Sequence, residues 1–193
     1  SRARSLHAAA REVVARFGGV FPERYEDVRS LPGIGEYTAA AVCSIAYGQP
    51  HAVVDGNVYR VLSRRFDLGG PVDSAPGRKL FAELAASLLD TTHPGLYNQA
   101  VMELGALQCV PRSPDCAACP LSDGCLAYAR GTVAERPVKR PRRESVRRYF
   151  NYLHIRCGGR TLIVRRSGRD IWRGLYEFPL VETTEAVDFA ALQ

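Results

Sequence analysis

The chain has 193 residues, of which 46% are hydrophobic and 24% are charged, and its formal net charge is +6. This length allows one or two domains, and the apolar content is enough for a packed core. No apolar run is long enough to cross a membrane, and residues 1–14 lack the apolar centre of a secretory signal, so we expect neither a membrane protein nor a secreted one. The excess of basic residues suits an acidic polymer as partner.

Six cysteines in a basic chain without a signal peptide indicate a reducing compartment. Four of them follow the spacing C-x6-C-x2-C-x5-C, which favours a metal centre over a disulfide framework: Cys109, Cys116, Cys119 and Cys125. Four soft thiolates bind zinc or an iron–sulfur cluster, and the spacing alone leaves both open. Cys43 lies in a pattern of small apolar residues and is interpreted as a core thiol.

Helical periodicity dominates the first 108 residues. The pattern predicts helices over residues 2–17, 23–30, about 36–47 and 57–66, then one capped by Asp73 or Ser74, and one over 95–107. On the helix over 57–66, three arginines form a face of their own: Arg60, Arg64 and Arg65. This face is interpreted either as solvated or as a contact to a phosphate backbone.

A tight turn separates the second and third predicted helices: Leu31, Pro32, Gly33, Ile34 and Gly35. Its glycines can adopt positive φ and have no Cβ, so their N–H groups can converge on an anion at the start of the next helix. Such a site binds a phosphate backbone without reading its sequence. A turn of this kind is also a common simple connection between helices, and taken alone it fits either interpretation.

Asp55 follows the apolar pair Val53 and Val54 and precedes a helix, which predicts an N-cap with a free carboxylate edge. Together with the turn about twenty residues before it, this aspartate resembles the helix-hairpin-helix, Gly/Pro-rich, Asp motif of base-excision DNA glycosylases. Within that superfamily the stretch is most similar to the MutY-type adenine glycosylases. Tyr37 stands where the endonuclease III-like glycosylase/lyases have a Schiff-base lysine, and Asp-Gly-Asn at 55–57 stands where they have Asp-Thr-His.

The resemblance implies a mainly α fold: a helix-hairpin-helix glycosylase domain with a [4Fe–4S] loop, followed by the start of an α+β Nudix-like domain. The implied boundaries are a partial helical domain over 1–108, the cluster loop and helix over 109–129, a basic interdomain linker over 130–148, and a truncated Nudix-like domain over 149–193. Residues 171–179 resemble the opening of that last domain. No Glu-rich Nudix box occurs, so we do not expect pyrophosphohydrolase activity.

The family's activity is excision of adenine opposite 8-oxoguanine or guanine in double-stranded DNA, without strand cleavage, by a monomer in the bacterial cytoplasm or the eukaryotic nucleus. Carried over to this sequence, Asp55 would stabilise the cationic sugar, Asn57 would orient the site and water, and Tyr37 would lie beside the sugar. The turn over 31–35 and Arg112 would contact the DNA backbone. The resemblance assigns a [4Fe–4S] cluster to four ligands: Cys109, Cys116, Cys119 and Cys125.

The family's general acid is a glutamate in a segment that precedes Ser1, and no glutamate of this sequence matches its motif. We therefore expect these 193 residues alone to bind DNA weakly and to excise little or no adenine. Two alternatives stay open. One is an endonuclease III-like pyrimidine glycosylase with lyase activity, against which Tyr37 argues. The other is a non-catalytic helix-hairpin-helix DNA-binding module with an iron–sulfur cluster.

Overall fold

A computed structural model describes residues 2–141, 145–188 and 190. The chain divides into two compact units, the first of which ends at residue 141. None of the helices in the described ranges is long and apolar enough to pass through a bilayer.

The first unit is helical. Its α-helices are α1 (Arg2–Phe17), α2 (Tyr25–Ser30), α3 (Glu36–Tyr47), α4 (Gly56–Arg65), α5 (Ala75–Leu88), α6 (Pro94–Glu103) and α7 (Leu126–Ala129). A π-helical turn over Leu104–Gln108 follows α6, and short 3₁₀ turns occupy Ser122–Gly124 and Val133–Glu135. The predicted helices are confirmed, although α2 begins at Tyr25 and not at residue 23.

Local chemistry explains several of these boundaries. Gly48 ends α3 with φ 62°, a left-handed conformation that glycine adopts without strain. The Ser74 side chain accepts a hydrogen bond from the N–H of Gly77 and caps α5, with Pro76 in the first turn. Small residues let α3 and α6 approach closely, since a Cβ on Gly95 would lie 2.7 Å from the carbonyl oxygen of Ser44.

Two buried clusters form the core of this unit. The larger joins α4, α5 and the loop between them through Val58, Leu62, Val72, Phe81 and Ala85. The smaller joins α2 and α3 through Val28, Ala39 and Cys43. Cys43 is fully buried, as predicted for a core thiol. The two clusters fix the helices on either side of the 31–35 turn and of Asp55.

Helix α1 buries little of its apolar stripe. Leu6 and Val14 are exposed, and only Ala9 is buried. The stripe lines an apolar groove that it shares with Phe21 and Pro32. In the described part of the chain, no helix packs over this side of α1 closely enough to bury it.

The segment that follows α7 packs against the helical unit. The N–H of Val72 donates to the carbonyl of Val138 at 3.0 Å. Asp67 accepts hydrogen bonds from Thr132 and Arg130, and these bonds lower the pKa of its carboxyl group. Arg136 adds an ion pair to Asp67 at 2.9 Å. The first part of the predicted 130–148 linker is therefore attached to the loop between α4 and α5, and the unit boundary lies inside that segment. The remaining linker prediction includes residues 142–144, which lie outside the described residues.

The second unit contains short antiparallel strands: β1 (Tyr149–Tyr152), β2 (Arg156–Cys157), β3 (Arg160–Thr161), β4 (Val164–Arg165), β5 (Tyr176–Glu177) and β6 (Leu180–Thr183). They pair as β1–β6, β2–β3 and β4–β5. A glycine-rich hairpin joins β2 and β3, and both of its glycines, Gly158 and Gly159, have positive φ. Trp172 is half-exposed. The whole chain is thus mainly helical with a few small strands.

Candidate functional site

The buried side chain of Leu31 attaches the 31–35 turn to the interior of the helical unit. Leu31 is buried, and its carbonyl accepts from the N–H of Ile34 at 3.1 Å. Gly33 has φ +81°, so any side chain there would strain the backbone. A Cβ on Gly33 would also lie 2.4 Å from the Cβ of Ser5, because the turn rests on α1. Two constraints therefore require glycine at position 33: the positive φ and the close contact with Ser5.

Gly35 differs from Gly33 in its backbone conformation and in its surroundings. Its backbone is extended, with φ −99°, so the expectation of a positive-φ glycine holds only for Gly33. A Cβ on Gly35 would meet nothing within 4 Å, which leaves open space at the start of α3. The first N–H groups of a helix have no partner inside the helix, so this open end suits an anion. Glu36, in the same turn of α3, is paired with Arg29 at 2.8 Å, which offsets its negative charge.

Asp55 caps α4, as predicted. Its Oδ1 accepts from the N–H of Val58 at 2.7 Å, and its Oδ2 accepts from Nδ2 of Asn57 at 3.1 Å. Both carboxylate oxygens are therefore oriented, where the sequence predicted one free edge. The residue is half-buried, and each oxygen keeps lone pairs for a further partner. The structure thus brings Asp55 and Asn57 together.

A chain of hydrogen bonds continues from Asn57 toward the cysteine loop. Arg60 Nη2 donates to Asn57 Oδ1 at 2.7 Å and to the carbonyl of Gly105, and its Nε donates to the carbonyl of Cys109 at 2.6 Å. A Cβ on Gly105 would lie 2.6 Å from the Cβ of Asn57, so the π-helical turn approaches α4 at a position where only glycine fits. Burial lowers the pKa of Arg60. Asp55 is thus linked to the backbone carbonyl of Cys109 through the side chains of Asn57 and Arg60.

Both sequence interpretations of the α4 arginines are therefore wrong for Arg60 and Arg64, which are only 8% and 2% exposed. Their guanidinium groups point inward and donate to backbone carbonyls of the cysteine loop, where the sequence suggested a solvated or DNA-facing surface. A loop without regular structure leaves many carbonyls unpaired, and a buried guanidinium can satisfy several at once. Arg65 lies half-buried, with its guanidinium against Gly124.

Asn98 is a positioning residue that the sequence analysis did not single out. Its Oδ1 accepts from the N–H of Val53 at 3.0 Å, and its Nδ2 donates to Ser44 Oγ and to the carbonyl of His51, both at 2.9 Å. At 3% exposure it ties α6 to α3 and to the loop that delivers Asp55. A polar residue among the apolar positions of α6 is a signal in the sequence.

Tyr37 lies in the first turn of α3 and is 46% exposed. Its hydroxyl contacts Met102 Sδ on α6 at 3.8 Å and does not bond to Asp55. The phenol is therefore at the surface beside the turn, on an element that the hairpin positions.

Four cysteines line one small cavity: Cys109, Cys116, Cys119 and Cys125. None of these four cysteines forms a disulfide, and burial raises the pKa of the Cys116 thiol. In residues 2–141, 145–188 and 190, no group of three or more His, Cys, Asp or Glu side chains is arranged to hold a metal ion. The donor set is nevertheless four soft sulfurs facing one space, which fits an iron–sulfur cluster, a group larger than one ion. Arg112 lies exposed in the loop between the first two cysteines.

Two family models match the parts just described. Residues 16–45 match the helix-hairpin-helix motif, and residues 109–125 match the iron-sulfur binding domain of endonuclease III. The chain is 38% identical over 204 residues to an adenine DNA glycosylase of Arabidopsis thaliana, covering 98% of this chain and 32% of that protein. An adenine DNA glycosylase of Homo sapiens is 46% identical over 131 residues, covering 67% of this chain and 24% of that protein. The chain thus spans about a third or less of these relatives.

Solved structures agree with the fold. A thermostable thymine-DNA glycosylase aligns with a TM-score of 0.61 at 36% identity, over 67% of this chain and 59% of that chain. Endonuclease III in a non-covalent DNA complex aligns with a TM-score of 0.58 at 24% identity, over the same shares of the two chains. The second likeness concerns the fold alone.

Proposed function

This chain belongs to the MutY-like helix-hairpin-helix glycosylases, and from that premise we propose that its full-length protein is a monofunctional adenine DNA glycosylase of base-excision repair. Its substrate would be adenine opposite 8-oxoguanine or guanine in double-stranded DNA, and it would act inside the cell as a monomer. Water would replace adenine on C1′ of the sugar, and the departing base would take up a proton.

The observation that carries this proposal is the oriented carboxylate of Asp55. Cleavage of the glycosidic bond leaves positive charge on the sugar, and a fixed carboxylate stabilises that charge without reorganising. At ~4 Å and an effective dielectric of about 20, the attraction is roughly 4 kcal/mol. The hydrogen bonds from Val58 and Asn57 hold the carboxylate ready before the sugar arrives.

Tyr37 and Asn57 complete the proposed catalytic set. Asn57 orients Asp55 directly, and Tyr37 is placed by α3 at the surface next to the turn. A phenol cannot form a Schiff base with the sugar, so this site would hydrolyse the bond without cleaving the strand.

The DNA contacts proposed here are the turn over Leu31, Pro32, Gly33, Ile34 and Gly35, together with Arg112 in the cysteine loop. The open space at Gly35 and the free N–H groups of α3 suit one phosphate. The exposed guanidinium of Arg112 suits another. Phosphate contacts of this kind fix position on the duplex while leaving base recognition to other groups.

The four cysteines of the loop, Cys109, Cys116, Cys119 and Cys125, are the proposed ligands of the [4Fe–4S] cluster. When bound, the cluster would fix the loop that carries Arg112. The small strands of the second unit are proposed to begin a Nudix-like domain. The proposed domain limits are 1–108 for the helical part, 109–129 for the cluster loop, 130–148 for the linker and 149–193 for the Nudix-like part.

The proposal is tested by Asp55→Asn in the full-length protein, with adenine release measured in single turnover on a duplex containing adenine opposite 8-oxoguanine. Asparagine still caps a helix, so the fold is retained while the charge is lost. We expect the rate to fall roughly a hundredfold or more, since each ~1.4 kcal/mol is worth a factor of ten. A rate within a few-fold of the unsubstituted protein would reject the role of Asp55.

Asp73→Asn is the matched control, because it removes a carboxylate near the start of the next helix and should leave the rate unchanged. In the same preparations, borohydride on an abasic duplex should trap no covalent complex. Efficient trapping would instead support a glycosylase/lyase, and unaltered DNA binding without any excision would support a binding module. The 193 residues alone are proposed to excise little adenine, since none of their glutamates matches the family's general-acid motif.

A further inference from the structure

The side chain of Arg64 binds the backbone on one side of the cavity that the four cysteines line. Its Nη1 donates to the carbonyl of Val110 at 2.8 Å, and its Nη2 donates to the carbonyl of Pro111 at 3.1 Å. The same Nη1 lies 3.4 Å from Cys109 Sγ. One guanidinium therefore holds the first cysteine and the two residues that follow it.

The opposite side of the cavity is held by the same group. Arg64 Nε donates to the carbonyl of Val133 at 3.0 Å and to that of Arg136 at 3.3 Å, and both residues follow the last cysteine. The Sγ of Cys125 lies 3.4 Å from the backbone carbonyl oxygen of Arg64. Arg64 thus contacts both the first and the last of the four cysteines, as well as the chain beyond each.

Burial makes these contacts strong. Arg64 is 2% exposed, so water does not compete for its donors, and the planar guanidinium serves several acceptors in fixed directions. Among the described residues, Arg64 makes the only hydrogen bond from a side-chain nitrogen to a cysteine sulfur of the loop. Hydrogen bonds to the sulfurs help to set the reduction potential of an iron–sulfur cluster.

We propose that Arg64 is the positioning residue of the cluster: it closes the loop around the group and donates a charge-assisted hydrogen bond to the sulfur of Cys109. It slows loss of the cluster and raises the reduction potential, because a positive donor stabilises the more negatively charged, reduced state. The proposal rests on ligation of the cluster by the four cysteines and is independent of the glycosylase reaction.

Arg65 provides a matched control. It carries the same charge on the same helix one position later and lies against Gly124 of the loop. In the described part of the chain it donates no hydrogen bond to a cysteine sulfur. Substitutions at 65 therefore reproduce the change in charge near the cluster without removing the contacts of Arg64.

The first experiment compares Arg64→Lys with Arg65→Lys, using decay of the visible absorbance of the bound cluster in the presence of an iron chelator. Lysine keeps the charge but lacks the planar fork, so Arg64→Lys should lose iron roughly tenfold faster, the effect of about one charge-assisted hydrogen bond. Arg65→Lys should match the unsubstituted chain. Equal decay rates for the two variants would overturn the proposal.

The second experiment compares the reduction potentials of Arg64→Met and Arg65→Met by voltammetry, in which one electron passes between electrode and cluster. A tenfold shift of the equilibrium toward the oxidised state in Arg64→Met corresponds to 59 mV more negative. The same shift in both variants would assign the effect to charge alone and overturn the hydrogen-bond role. If Arg64→Met does not fold, the lysine pair decides. An unsubstituted chain that binds no iron would instead reject the four-cysteine site itself.

Discussion

At the residue scale, the two glycines of the 31–35 turn have separate roles. Gly33 adopts positive φ and touches Ser5, whereas Gly35 has an ordinary extended backbone and faces open space. A side chain at Gly33 therefore disturbs the fold, whereas one at Gly35 would disturb only what approaches from outside.

Substitution of each glycine by alanine distinguishes the structural role of Gly33 from the proposed DNA-binding role of Gly35. Gly33→Ala should lower the free energy of unfolding by about 1–3 kcal/mol, the usual cost of a strained backbone conformation, with the Ser5 contact adding to it. Gly35→Ala should leave the unfolding midpoint unchanged and weaken binding to duplex DNA. Chemical denaturation and fluorescence anisotropy measure the two quantities. Equal loss of stability in both variants would contradict this division.

Asn98 also acts as a single residue, through the loop that it holds. In Asn98→Asp the acceptor for Val53 remains, but the donors to Ser44 and His51 are lost. We expect a loss of about 1–3 kcal/mol in the free energy of unfolding, because buried groups are left without partners. The neighbouring exposed amide provides the control, since Gln99→Glu should have no measurable effect in the same denaturation experiment.

At the element scale, α4 connects the candidate catalytic carboxylate with the cysteine loop. Asp55 caps its first turn, Arg60 links Asn57 to Cys109, and Arg64 holds the loop from the following turn. Residues four apart lie on one face of a helix, so the two arginines point to the same side. A displacement of α4 would therefore change both sites together.

The strands of the second unit are joined by charged groups. Arg148, before β1, contacts Asp170 at 2.6 Å and Glu182 of β6 at 2.5 Å. The hydrogen bond from Arg148 is the main reason that the pKa of Asp170 is lowered. A lowered pKa means that the associated stability is present above the ordinary pKa of aspartate and is lost as pH falls through the lower, folded-state value.

Arg148→Met should therefore raise the pKa of Asp170 toward the ordinary range. Titration of the carboxyl carbon by NMR measures this pKa directly. Arg165→Met is the control, because Arg165 makes no hydrogen bond to Asp170 within the described residues, and it should leave the pKa where it is. An Asp170 pKa that stays low in Arg148→Met would show that Arg166 and the backbone suffice.

At the scale of the whole molecule, the helical unit has two kinds of support. The clusters around Val28 and Phe81 are apolar and need no cofactor. The region over 104–141 has little apolar core and is attached by hydrogen bonds to α4 and by the Asp67 ion pairs. The proposed cluster would add a further attachment through the cysteines. Cofactor binding should therefore stabilise one part of the unit more than the other.

Removal of the cluster with a chelator should speed amide hydrogen exchange across residues 109–136, because that backbone loses its central attachment. Exchange in α3 should stay slow, since Ala39 and Cys43 remain packed. Exchange measured by mass spectrometry resolves the two regions within one sample. Uniformly faster exchange in both would mean that the cluster supports the entire unit.

Several features of this protein follow from short stretches of sequence. The Asp55 cap, the C-terminal end of α3 and the N-terminal end of α5 each depend on residues within a few positions of one another, and local conformational preferences suffice to predict them. These stretches, together with the glycine turn and the four cysteines, carry the resemblance to the helix-hairpin-helix DNA glycosylases, and residues 109–125 match the iron-sulfur binding domain of endonuclease III.

The partners of the buried polar side chains could not be predicted in this way. Arg64 reaches carbonyls 46 to 72 positions away, and Asn98 holds a loop that lies 45 positions before it. An arginine face on a helix looks the same in sequence whether it meets water, phosphate or a loop packed against it. Only the packing of distant segments shows which unpaired carbonyls must be satisfied, because burial removes the water that would otherwise bind them.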